Sequence, residues 1–289
     1  MPRRSPAASS ALGPIAIVAV EQHVPAAQRI TRDHLAVRLL PASVRLFARA
    51  AAGRWVRDRL VDASDRRAPG VWGGILCRKR YADDKVAEAL AAGVGQLVVL
   101  GAGYDTRACR TAGVAAFEVD LPVNSAAKRG RLESLYGRVP EHVRLVPADF
   151  QVDDLGTALT AAGFRLDQPA MVVLEGVTPY LTEDAVRGIF AFLAKMAPGS
   201  RLLFTYIRQD FLDGTSMYGL QRVHRQFVTA RRLWHFGLHP GGVVGWLAEY
   251  GWDELEQVGT EDYRARYLDP IGRSMKVMEI ERFVHAEKL

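Results

Sequence analysis

A chain of 289 residues with a formal net charge of +6, 49% hydrophobic and 24% charged side chains has an ordinary globular make-up and enough apolar mass for a full core. No stretch approaches the roughly 18 consecutive apolar residues of a membrane span. Nor is there a nucleic-acid footprint, because 32 of the 38 basic residues are Arg scattered from Arg3 to Arg282 in short groups such as Arg66-Arg67 and Arg231-Arg232.

Two cysteines, Cys77 and Cys109, stand outside any C-x-x-C spacing, which argues against a disulfide scaffold and fits a reducing cytoplasm. Residues 1–14 are expected to form an unstructured tail, since they open on Pro, Ser, Arg and Ala without periodicity. Arg3-Arg4 ahead of an apolar run from Ala11 to Val20 resembles the start of a secretory leader. Glu21-Gln22 follow with no small-x-small cleavage site, so export is not expected.

From 15 to 92 the apolar spacing is helical, as in Leu35, Leu39 and Leu40, then Val44, Phe47 and Ala51, and this stretch reads as an N-terminal helical cap. Within it, Arg45 to Val61 is basic and amphipathic. Of a helix lying on a membrane and one packed on the domain with its Arg in water, the second is the expectation. At Gln96 the texture changes to short apolar runs separated by helical patterns, which predicts βαβ units over 93–289.

Strands are predicted at 96–100, 115–119, 144–146, 170–174 and 201–207. A helix starts at Thr182-Glu183-Asp184 and stops at Pro198-Gly199. After an insertion at 208–238, Pro240 opens a helix through Trp246 to Tyr250, and strands follow at 254–258 and 275–283. Five parallel strands and a late antiparallel pair make an α/β fold: the doubly wound, Rossmann-like sheet of class I methyltransferases, with N-terminal helices and the late insertion as a lid.

The most informative segment runs from Val98 through Gly101-Ala102-Gly103-Tyr104-Asp105-Thr106-Arg107, a buried strand entering a glycine-rich turn. Glycines there let the backbone pass close to a ligand. Asp120, at the end of the next strand, can accept hydrogen bonds from ribose hydroxyls. A nicotinamide dinucleotide would want a third glycine where Thr106 stands and a bare helix start for its pyrophosphate. Asp105 would repel a phosphate but could receive the ammonium of an amino-acid cofactor, which favours S-adenosylmethionine. Helix capping by Asp105 and Thr106 is equally compatible with that cofactor.

The segment Leu100-Gly101-Ala102-Gly103-Tyr104-Asp105-Thr106-Arg107 resembles the L-G-A-G-x-D-T-R signature of the leucine carboxyl methyltransferase family, including its tetracenomycin-type polyketide carboxyl methyltransferases. Four more segments agree in order: Arg78-Lys79-Arg80-Tyr81 through Asp84, Glu118 to Pro122, Val146 to Phe150, and Glu175 to Leu181. The resemblance implies S-adenosylmethionine as cofactor, with Arg78 on its carboxylate, Gly101 and Gly103 around the methionine, and Asp105 nearby. It further implies Asp120 on the ribose, Asp149 and Phe150 about the adenine, and Glu175 beside the amino-acid end or on the active-site floor. Thr178-Pro179 departs from the family, which has two apolar residues before Tyr180.

The sulfonium methyl is already activated, so alignment and exclusion of water are the main tasks, and no metal is expected: His235 and His239 are separated by Gly237 and followed by Pro240. A carboxylate is ionised at neutral pH and needs no general base, whereas a phenol would gain from one. Tyr180 and Tyr206, at the ends of the fourth and fifth strands, are the candidate catalytic residues. The insertion, with Phe211, Met217, Tyr218, Phe227, Trp234 and Phe236, suggests an apolar or aromatic small-molecule acceptor. The expectation is O-methylation of a small organic carboxylate or phenol by a monomer or homodimer, with no nucleic acid and no membrane insertion. Methylation of a protein C-terminal carboxylate and a non-catalytic cofactor-binding protein stay open.

Overall fold

The computed structural model describes residues 12–289. The tail expected over 1–14 lies outside the described residues as far as residue 11, and its last three positions belong instead to helix α1 (Leu12–Glu21). Ile15, Val18 and Ala19 recur at helical spacing and are buried, which is why the helix starts before residue 15. The basic stretch is two helices, α2 (Ala42–Ala50) and α3 (Arg54–Asp65), parted at Ala51–Gly53. Helix α4 (Val71–Ala91) then crosses the sheet, burying Leu76, Tyr81 and Val86.

The sheet comprises β1 (Gln96–Leu100), β2 (Ala115–Asp120), β3 (Val143–Pro147), β4 (Ala170–Leu174), β5 (Arg201–Arg208), the two-residue β6 (Gly237–Leu238), β7 (Trp252–Val258) and β8 (Glu281–Lys288). Its order is β3-β2-β1-β4-β5-β8-β7, with β6 beside the end of β5. Strands β1 to β5 are parallel, and β8 is antiparallel to both β5 and β7. Every residue of β1 and β4 is buried because helices cover both faces.

Leu97, Val99 and Leu203 face α1 and α4. Val98, Leu100, Phe204 and Tyr206 face the other layer, where α6 (Leu155–Ala161), α7 (Glu183–Leu193) and α8 (Val243–Ala248) pack. Helix α5 (Pro122–Tyr136) sits between β2 and β3 in the chain. Thr182 caps α7 as anticipated, its side chain accepting from the Ala185 amide. No helix among the described residues is long and apolar enough to cross a membrane.

The last strand differs from its expected place at 275–283. Residues 275–280 are not in the ladder, because that backbone runs against the start of α4: the Met278 amide donates to the Gly70 carbonyl, and a Cβ on Gly73 would come within 2.3 Å of the Lys276 carbonyl oxygen. Pairing with β5 begins only at Glu281.

Central in β8, His285 lies opposite Leu203 on one side and Glu256 on the other. Burial, and then the charges of Lys85 and Arg201, push its imidazole down to about 4 against the opposing pull of Glu256 and Glu88. A depressed histidine contributes stability above the unfolded value of 6.5 and loses it as pH falls toward 4. The stability advantage of wild type over His285→Gln is therefore expected to shrink by about 2 kcal/mol between pH 7.5 and pH 5, measured by urea unfolding. An unchanged gap would show that His285 is not held neutral.

Candidate functional site

In a parallel sheet, ligands gather beyond the carboxyl ends of the strands where the order reverses, here between β1 and β4. A cleft of about 660 Å3 lies there, inside the range of roughly 300–1,000 Å3 usual for small-molecule sites. Strand order converts distant chain positions into a row along it. Asp149 and Phe150 follow β3, Asp120 ends β2, Gly101 and Gly103 follow β1, Glu175 and Tyr180 follow β4, and Ile207 is on β5. At strand spacings of roughly 4.8 Å the row is about 19 Å long. The start of α1, the start of α4 and the segment from Leu220 to Trp234 form the other walls.

The glycine turn is tight for identifiable reasons. Gly101 has φ +69°, its amide donates to the Val119 carbonyl at 2.8 Å, and a Cβ on it would lie 2.2 Å from Val177 Cγ2. Gly103 donates to Asp120 Oδ2 at 2.5 Å, while Asp120 Oδ1 accepts from the Leu121 amide and the Asn124 side chain, both at 2.7 Å. One carboxylate thus holds the turn to the end of the neighbouring strand.

Beside the turn is a cluster of buried charges. Arg78 Nε meets Glu175 at 2.7 Å and its Nη1 meets Glu281 at 2.7 and 2.8 Å. Arg107 Nη1 meets Asp105 and Glu175, each at 2.7 Å, and its Nε meets Asp83 at 2.6 Å. Lys79 bridges Asp105 at 2.9 Å and Glu175 at 3.2 Å. Burial alone would raise the carboxyls of Asp105 and Glu175, but Arg107 and Lys79 on both, with Lys128 acting on Asp105 and Arg78 on Glu175, hold them well below the usual range. The same carboxylates hold the Arg107 guanidinium charged against its own burial.

Asp105 therefore has all its charge neutralised by protein, and its Oδ1 already occupies the Arg107 amide at the helix start, at 2.8 Å. A pyrophosphate has no place at that amide. Arg78 is likewise committed on two nitrogens. Its Nη2 makes neither bond and lies against the Gly176 turn, where a Cβ would stand at 3.3 Å.

Of the expected cofactor residues, Arg78, Gly101, Gly103, Asp105, Asp120, Asp149, Phe150 and Glu175 all border the one cleft. Tyr180 borders it too, its ring edge-on to Trp234 at 6.4 Å. Tyr206 does not. It alternates with Ile207 on β5, so Ile207 faces the cleft while Tyr206 is fully buried in the opposite core with its hydroxyl on Gln257. That removes it from the acceptor side.

Within the insertion, Phe227 and Trp234 stack at 4.7 Å and line the cleft, whereas Phe211, Met217, Tyr218 and Phe236 pack away from it. Sequence reading also missed Lys79, Arg107 and Glu281. Arg107 closes the recognised signature and Lys79 sits beside Arg78, so both were within reach; Glu281 lies 203 residues from its partner and has no local signal.

The family model for leucine carboxyl methyltransferase matches residues 11–194. A candidate S-adenosyl-L-methionine-dependent methyltransferase from Mycobacteroides abscessus is 30% identical over 264 residues, covering 87% of this chain and 85% of that protein. One of the same description from Mycolicibacterium paratuberculosis is 31% identical over 274 residues, covering 91% and 84%. Among solved structures, a candidate methyltransferase from Thermobifida fusca superposes with a TM-score of 0.55 at 19% identity, covering 81% of this chain and 88% of the other. A DUF574 family protein from Streptomyces avermitilis does so with a TM-score of 0.55 at 17% identity, covering 81% and 91%. These two likenesses bear on the fold alone.

Proposed function

We propose, from the premise that this chain belongs to the leucine carboxyl methyltransferase family and is an S-adenosylmethionine-dependent methyltransferase, that it methylates an oxygen of a small apolar or aromatic organic acid. The observation that carries the reading is the row of residues along the cleft, charged at its middle and, beside Glu281, apolar at its β5 end. Asp149 and Phe150 would take the adenine, Asp120 the ribose hydroxyls, and the Gly101–Gly103 turn the methionine chain. Arg78 Nη2 and Lys79 would meet the cofactor carboxylate. A Cβ at Gly101 would collide with Val177, so only glycine keeps the turn this close to the cleft, and the capped helix start suits a cofactor without phosphate.

Bound there, S-adenosylmethionine supplies a methyl group on a positively charged sulfur. The chain's own part is to hold the acceptor in line and keep water out. At the β5 end stand Ile207, Leu220, Val223, Phe227, Trp234 and Met278, and no His is among the described residues lining the cleft. A carboxylate acceptor is already ionised at neutral pH and needs no base, which favours it over a phenol. Tyr180 brings a hydroxyl to this end and would position the acceptor's oxygen. The free thiols Cys77 and Cys109 accord with a reducing, cytoplasmic setting.

Incubation with methyl-labelled cofactor and a panel of aryl and polyketide acids, phenols and peptides with free C-termini tests this. Label is expected in an acid as an ester. Tyr180→Phe is expected to lower kcat/KM about tenfold, the worth of roughly one hydrogen bond, and Tyr206→Phe to leave it unchanged. Label in peptide C-termini alone, or in phenols with a pH profile demanding a base, would replace the small acid as acceptor.

A further inference from the structure

Helices α2 and α3 carry apolar residues on both sides. Inward, Ala48 and Ala51 are buried, and Val44, Leu60 and Val61 pack against the core. Outward, Leu46, Phe47 and Trp55 are exposed by 69%, 45% and 67%. Three of the nine large exposed hydrophobics among the described residues thus fall within ten consecutive positions, and no ten-residue stretch elsewhere holds more than one. Isolated exposed apolar residues need no explanation, but a concentration of them does.

The charge of the same stretch is uneven. Residues 45–67 hold seven Arg against three Asp, a net +4 out of the +6 of the whole chain. Six of the seven, Arg45, Arg49, Arg54, Arg59, Arg66 and Arg67, are exposed. The acidic side chains do little to mask them: Asp65 accepts from the Gly70 amide, and Asp58 reaches only Arg54, at 3.6 Å and on the surface. Arg59 lies over the Trp55 ring at 4.4 Å, so an aromatic ring and a cation are presented together.

We propose that α2 and α3 form a docking surface for an anionic lipid bilayer, with Leu46, Phe47 and Trp55 entering the interface and the Arg residues meeting lipid phosphates. Charge complementarity decides for this occupant: large apolar and aromatic side chains among arginines are what an interfacial helix presents to anionic lipid. The position gives the surface a use. Ala68 and Val71, directly after α3, line the cleft, so docking would bring the cleft's wall to the membrane, from which an apolar acceptor could enter. The surface itself stands whether or not the acceptor is an organic acid.

The test is co-sedimentation of the full chain with vesicles of phosphatidylcholine alone and of phosphatidylcholine mixed with phosphatidylglycerol. Binding is expected only to the mixed vesicles, weakening with salt. It should fall roughly fivefold for each Arg neutralised in Arg45→Gln and Arg49→Gln, and be abolished by Leu46→Asp with Trp55→Asp. All four positions are exposed, so the melting temperature and cofactor titration of each variant should match wild type and separate lost docking from lost folding. Failure to bind mixed vesicles, or binding indifferent to both sets of variants, overturns the proposal. So does a concentration-dependent dimer that Trp55→Asp dissociates, which would assign the surface to a second copy of the chain.

Discussion

Arg107→Met is expected to destabilise the protein by about 3–5 kcal/mol, seen as a fall in melting temperature on the order of 10 °C, and to abolish the upward shift that S-adenosylmethionine gives the wild type. Arg107 is a buried cation among three carboxylates, Asp83, Asp105 and Glu175, at 2.6 to 2.7 Å. Methionine fills similar volume without charge, so the expected loss comes from carboxylates left buried with too few partners. Arg107→Lys keeps the charge but lacks the fork that reaches three partners at once, and is expected to fall between. A melting temperature within two degrees of wild type for Arg107→Met would show that the cluster does not need its central cation.

Asp120→Ala is expected to weaken S-adenosylmethionine and S-adenosylhomocysteine about 100-fold or more by calorimetric titration, since two hydrogen bonds to a charged group are each worth roughly 1.5–3 kcal/mol. Two contributions are joined in this residue. Its carboxylate would face the ribose, and it also holds the Gly103 amide and the Asn124 side chain. Asp120→Asn keeps one accepting oxygen, but its NH2 must face either the Gly103 amide or the Leu121 and Asn124 donors. Asparagine is therefore expected to cost about 1–3 kcal/mol of stability by urea unfolding and at least tenfold in affinity, less than alanine in both. Equal affinities for wild type and both variants would remove Asp120 from the ligand.

The parallel half of the sheet was legible because each strand is a short apolar run bounded by turn residues. Gln96–Leu100 and Ala170–Leu174 are buried on both faces, so the pattern had no polar positions to confuse it. Residues 275–280 misled because apolar side chains recur there too, yet they follow the close approach of Lys276 and Val277 to Gly70 and Gly73 rather than a neighbouring strand. Tyr206 misled for a related reason: the end of a strand was recognised, but which face an individual residue takes depends on register, and a step of one exchanges cleft for core. The glycine turn and Asp120 were legible from chemistry that neighbours in sequence supply. The charge cluster was only half legible, because Glu281 reaches it from the far end of the chain.

The placement of β8 between β5 and β7 bears on how the protein is made. Strand β7 is synthesised first, but among the described residues its one neighbour in the sheet is β8, and β8 also supplies Glu281 to Arg78. Until residues 281–288 have cleared the ribosomal tunnel, the outer edge of β5 stays open to other chains and Arg78 lacks one of its two counter-ions. The Gly101 turn and most of the cleft wall come from residues that precede β8, but the site is complete only once residues 281–288 have inserted between β5 and β7.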